Sequence, residues 1–161
     1  MAIPATISES PSSAVFDIKG SIEDVRTLLP EFVLPARPNS RTDQEGGELC
    51  QVGPEHWLLR ARMEAEELLA GRFRGAADNP DLLVLTVSDS WSFLEITGEG
   101  AEDLLSSATS LDVTATGEDA ALFTEVFGHK ALLIRRRDGF ELAVENSLRD
   151  YVLLRLGAMA G

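Results

Sequence analysis

"ALFTEVFGHKALLIRRRDGFELAV", Ala121 to Val144, decides the fold. Three apolar segments, "ALFTEVF", "KALLIRR" and "FELAV", are separated by Gly128-His129 and Asp138-Gly139. Asp-Gly is a strong hairpin signal, because a tight two-residue turn needs residues that accept positive φ. Three strands joined by such short connections are antiparallel neighbours. Ser147 with Asp150 reads as the capped start of a closing helix that carries Leu148, Tyr151, Val152 and Leu156.

Working upstream, Ala101, Leu104, Leu105 and Ala108 follow helical spacing, with Glu99, Glu102 and Asp103 placed to complement the helix dipole. "DLLVLTV" and "WSFLEIT" flank "SDS" and predict a hairpin, while "LDVTATGEDA" reads as a loop. "MEAEELLAGRF" predicts a short helix with Gly71 near its end. "ELCQVG" and "HWLLRA" predict two strands around Gly53-Pro54. "VLPARPNSRTDQEGG" reads as a long loop. "SIEDVRTLLPEF" predicts a helix with Ser21 and Asp24 as its capping box and Pro30 as its stop.

Hairpins outnumber parallel crossovers, so the expected class is α+β, a mainly antiparallel sheet with short helices packed on it. Each strand pair followed by a helix hints at an internal duplication. Residues 1–20, rich in Pro, Ser and Thr, predict a mobile N-terminal segment or one ordered only on a partner, and residues 21–161 a single domain.

A formal net charge of −13 disfavours nucleic acid and anionic membrane as partners. No apolar run is long enough to span a bilayer, and the N-terminus lacks a signal-peptide pattern. A single cysteine, Cys50, fits a cytoplasmic setting and reads as a small buried apolar residue. Between Arg74 and Lys130 stand eleven Asp or Glu and not one Lys or Arg. That stretch is either a solvated face or a surface complementary to a basic partner.

Chemistry is scarce. There is no Gly-x-Gly-x-x-Gly, phosphate-binding loop or Gly-x-Ser-x-Gly elbow. His56 and His129 stand 73 positions apart, which does not suit a metal site. His56 follows Glu55, but strand neighbours point to opposite faces, so adjacency makes no dyad. Gly53, Pro54 and Trp57 read as a structural turn and anchor. Arg135, Arg136 and Arg137 at a strand end read either as a solvated end balancing local acids or as part of an interface, where arginine is enriched. No catalytic, cofactor-binding or metal-binding residue is assigned.

"QVGPEHWLLRA", "WSFLEITGEGAEDLLSSATSLDV" and "FGHKALLIRRRDGFELAVENSLRDYVLLRL" together resemble, in order, segments of sarcosine oxidase gamma subunits. The middle pattern is shared with the wider folate-binding aminomethyltransferase superfamily, which includes the glycine-cleavage T-protein. The Lys-Gly-Cys-x-Gly-Gln segment of that superfamily's iron–sulfur repair proteins is missing. The resemblance implies an aminomethyltransferase-like module serving as a non-catalytic gamma subunit of a heterotetrameric complex. That complex would demethylate sarcosine oxidatively to glycine, coupled to tetrahydrofolate. It implies FAD, FMN, NAD, zinc and tetrahydrofolate on other subunits, and alpha, beta and delta subunits as partners, chiefly the large alpha subunit. The alternative is a self-standing small module that binds folate or a related one-carbon carrier. An enclosed pocket with convergent polar groups would favour that alternative, and a broad exposed apolar patch the subunit.

Overall fold

The three strands read from the C-terminal third are all present in this computed structural model, which describes residues 2–161. Among the described residues ten strands form two five-stranded sheets, each antiparallel throughout. The chain divides into two units rather than the expected single domain: one holds the N-terminal segment to Pro11 and Asp89–Gly161, the other Ser12–Ser88. Each sheet has its own helix-covered core, which is the physical reason for the division.

In the Ser12–Ser88 unit the elements are β2 (Ser13–Lys19), α1 (Ile22–Leu28), β3 (Ser40–Gln44), β4 (Gly47–Gly53), β5 (His56–Arg62), α2 (Glu66–Arg74) and β6 (Leu83–Thr86). The sheet order is β3-β4-β5-β2-β6. Phe16, Ile18, Leu49, Trp57 and Leu59 face Val25, Leu28, Leu69 and Phe73 of the helices. Ser21 and Asp24 form the capping box of α1, each side chain bonding the other residue's backbone N–H. The Asp24 carboxyl is held below its ordinary range by the Ser21 hydroxyl and by the Asn79 amide.

The other unit contains β1 (Thr6–Glu9), β7 (Trp91–Thr97), α3 (Ala101–Ser106), β8 (Ala121–Val126), β9 (His129–Arg136), β10 (Gly139–Glu145) and α4 (Arg149–Met159). Its sheet order is β1-β7-β10-β9-β8. Leu94, Ile96, Leu133, Phe140, Leu142 and Val144 face Leu104, Leu105, Val152 and Leu156.

The two units repeat one plan. Reading β2 as β7, β3 to β5 as β8 to β10, and β6 as β1 maps one sheet order onto the other. The registers agree as well. Ile18 lies opposite Trp57 and Val84, while Ile96 lies opposite Phe140 and Ile7. Val87 N–H donates to the Val15 carbonyl at 2.8 Å, and Ser10 N–H to the Phe93 carbonyl at 2.8 Å. After the strand comes a glycine in each: a Cβ on Gly20 would meet Leu82, and one on Gly98 the Pro4 carbonyl. The repeat is one of topology and register, and its unit is strand, helix, three strands and helix rather than the strand pair and helix hinted at by the sequence. Its fifth strand follows the helix in one unit and comes from the start of the chain in the other.

Several expectations are corrected. The segment 1–20, expected to be mobile, supplies β1 and β2; Pro4 and Pro11 flank β1, and Ala14, Phe16 and Ile18 are buried. Met1 of that segment lies outside the described residues. "DLLVLTV" and "WSFLEIT" do not form a hairpin: β6 pairs with β2, and β7 with β1 and β10. "SDS" is a 3₁₀ turn at the boundary between units, and it offers no glycine or asparagine for a tight hairpin turn. The expected loop over residues 33–47 contains β3, an edge strand whose polar sequence shows no apolar alternation. Ser147 caps nothing, since a 3₁₀ turn over Asn146–Leu148 leads directly into α4.

Candidate functional site

Gly53 closes β4, Pro54 and Glu55 form the turn, and Glu55 adopts a left-handed φ of 51°. The turn is fastened to the end of β2 through one residue: Gly20 N–H donates to the Glu55 carbonyl at 3.0 Å. Trp57 Nε1–H donates to the Gly20 carbonyl at 3.1 Å. Trp57 is 1% exposed, so this bond satisfies a polar group that burial would otherwise leave costly.

His56 Nε2 lies 2.7 Å from Asp17 Oδ1, with both side chains partly buried. They are diagonal neighbours across β2 and β5, because Lys19 stands opposite His56 and Leu58 opposite Asp17. The carboxylate orients the imidazole and ties the two strands together. Asp17 lies 39 residues from His56, and no local spacing marks the pair.

The three arginines separate. Arg135 places its guanidinium 4.5 Å above the Phe140 ring and reaches Glu102 at 3.7 Å. Arg136 Nη2–H donates to the buried Glu141 carboxylate at 2.6 Å, and the Ser10 hydroxyl donates to the same carboxylate at 2.7 Å. Arg137 is exposed in the turn before Gly139. The strand's alternation thus turns Arg135 and Arg136 into intramolecular contacts on opposite faces and leaves Arg137 toward solvent.

His129 sets its ring edge-on against Tyr151, with centroids 5.5 Å apart. Arg155 lies 4.6 Å over Phe127 and donates to the Tyr151 hydroxyl at 3.2 Å. On α2, Arg72 donates from Nη1 and Nη2 to the two Glu31 carboxylate oxygens, and this pairing pulls Glu31 down to about 2. Cys50 is buried in β4. Among the described residues, no group of three or more His, Cys, Asp or Glu side chains is placed to hold a metal ion.

Between α2 and β6 lies a cavity of about 260 Å³, walled by Ala70, Phe73, Leu82, Leu83 and Val84. Arg74 and Thr86 are its polar-side-chain lining. Of the eleven acids between Arg74 and Lys130, nine are exposed and Glu102 and Asp119 half-buried. None of these features assembles a nucleophile, base and oxyanion donor around one point.

Comparison with known proteins decides what kind of module this is. Residues 40–160 match the model of the sarcosine oxidase, gamma subunit family. The chain belongs to that family. In fold it is similar to a chain of the heterotetrameric sarcosine oxidase from Corynebacterium sp. U-96, solved in complex with pyrrole 2-carboxylate. The TM-score is 0.84 at 21% identity, covering 96% of this chain and 83% of that one. It is also similar to the glycine cleavage system aminomethyltransferase T from Bartonella henselae, with a TM-score of 0.71 at 14% identity. That match covers 96% of this chain and 46% of the aminomethyltransferase, so the gamma-family chain spans less than half its length. No curated protein sequence matches. The expected fold class holds: α+β, antiparallel, and aminomethyltransferase-like.

Proposed function

We propose that this chain is the non-catalytic, structural gamma subunit of a heterotetrameric sarcosine oxidase-type complex. In this reading the complex demethylates sarcosine to glycine with coupling to tetrahydrofolate, in the cytoplasm. The observation that carries the proposal is the family match over residues 40–160. The arginine pairings are consistent with it, since Arg72, Arg135 and Arg136 are engaged in contacts within the chain.

The flavins, NAD, zinc and tetrahydrofolate of such a complex would be held by other subunits. The α2–β6 cavity lends the folate alternative no support. Pockets for ligands of that size run to roughly 300–1,000 Å³ with several placed polar groups, and this one offers about 260 Å³ with two polar side chains. The self-standing folate module therefore gains nothing from it. Partners would be the alpha, beta and delta subunits, chiefly alpha, with Arg137 and the exposed acids of residues 75–129 available to them. The test is affinity purification of the tagged chain from its native host, followed by mass spectrometry and visible absorbance. Recovery of flavin-bearing sarcosine oxidase subunits is the expected result, with the isolated chain colourless and producing no peroxide from sarcosine. Flavin absorbance or peroxide production by the isolated chain would overturn the reading.

A further inference from the structure

The fifth strand of each unit occupies the same place in the plan, at an open sheet edge beside β2 or β7. The two strands share an exposure pattern but not a chemistry. β1 turns Thr6 and Ser8 outward, ends in Glu9, and lies between Pro4 and Pro11. Polar side chains, charge and proline are the usual means of keeping an edge from pairing with another chain. β6 turns Leu83 and Leu85 outward at the equivalent positions, each 49% exposed. Leu83 also borders the α2–β6 cavity, where Phe73 and Val84 form apolar wall.

We infer that the open edge of β6, with the adjoining cavity, receives an extended strand from another subunit of the complex. An edge strand carries backbone donors and acceptors that an incoming strand satisfies, and alternating side chains of that strand find the leucines and the cavity. The chemistry of the occupant follows from the surroundings. Asp78 and Asp81 precede β6, Asp89 follows it, and no Lys or Arg occurs from residue 75 to 129. A second copy would bring the same acids against them and be repelled, whereas an apolar strand flanked by Lys or Arg is attracted. Arg74 and Lys19, the latter opposite Leu83, are the nearby cations, and both lie on the α2 or β2 side of the edge.

This inference rests on the subunit reading, and the experiment separates the two. The tagged chain is co-expressed with the other subunits as wild type, Leu83→Lys, Leu85→Lys, Thr6→Lys and Ser8→Lys. Circular dichroism checks that each variant folds, as the outward positions permit. Expected are loss of partner subunits from the two leucine variants and retention in the two β1 variants. Amide exchange of residues 82–87 in the wild-type complex should slow by about tenfold or more relative to the isolated chain. A wild type that recovers no sarcosine oxidase subunit defeats both readings. A wild type that assembles, with leucine variants assembling equally, defeats the β6 edge alone. Loss of assembly without amide protection defeats strand pairing, and a homodimer abolished by Leu85→Lys assigns the edge to a second copy instead.

Discussion

Trp57 and Phe140 hold the same position in the two units, opposite Ile18 and Ile96, yet their surroundings differ. The buried indole carries a donor and needs the Gly20 carbonyl. The phenyl ring has no such need and instead supports the Arg135 guanidinium, which reaches on to Glu102. The helix contact differs in kind as well. Phe16 meets Phe73 edge-on with centroids 4.9 Å apart, where the other unit has Leu94 and Leu156. One plan therefore tolerates two core chemistries, provided the apolar volume is filled and the buried indole donor is satisfied.

Replacing either aromatic tests the comparison most severely. Trp57→Ala and Phe140→Ala should each cost about 3–5 kcal/mol, as other large-to-small core changes do. Denaturant unfolding followed by amide exchange should show protection lost first in the sheet that carries the substitution. Trp57→Phe converts one unit toward the other but leaves the Gly20 carbonyl without its donor, for a cost of about 1–3 kcal/mol. Equal and negligible effects of the three variants would refute the packing roles.

The helix starts differ next in size of effect. α1 has a full capping box, whereas α3 begins at Gly100 without a side-chain cap. Giving α3 a cap by Gly100→Ser should destabilise by about 1–3 kcal/mol through overpacking. A Cβ there would stand 2.6 Å from Ile3 Cγ2. Ser21→Ala should cost about 1 kcal/mol. Thermal melts of both variants check the ordering, and a stabilising Gly100→Ser would break it.

The smallest effect concerns acid. Arg72 and Arg155 occupy equivalent helix positions, but Arg72 grips Glu31 while Arg155 rests on Phe127 and Tyr151. Glu31 titrates near 2 in the folded chain against an ordinary value of 4.5, so its contribution is present above 4.5 and fades as pH falls toward 2. The side chain is 51% exposed, which keeps the contribution under about 1 kcal/mol. Melting temperatures from pH 5 to pH 3 should therefore fall slightly less steeply in Glu31→Gln than in the wild type. A steeper fall in the variant would reverse the sign and refute the pairing.

The sequence by itself determined what depends on near neighbours. The turns at Gly53-Pro54 and Asp138-Gly139, the Ser21–Asp24 box and the buried faces of α1 and α3 were legible, because each is settled within a few residues of chain. The family resemblance was legible too, through the order of its blocks. What only the tertiary structure decided lies at long range. β6 and β7, adjacent in sequence, join different sheets because β2 and β1 offer them edges more than 60 residues away in the chain. β3 forms although its sequence is polar, because an edge strand is held by backbone hydrogen bonds that need no apolar alternation. Arg135 and Arg136 become internal contacts, and His56 finds Asp17, only once the strands take their register. Strand partners are selected by burial of whole faces, and that selection has no local signature.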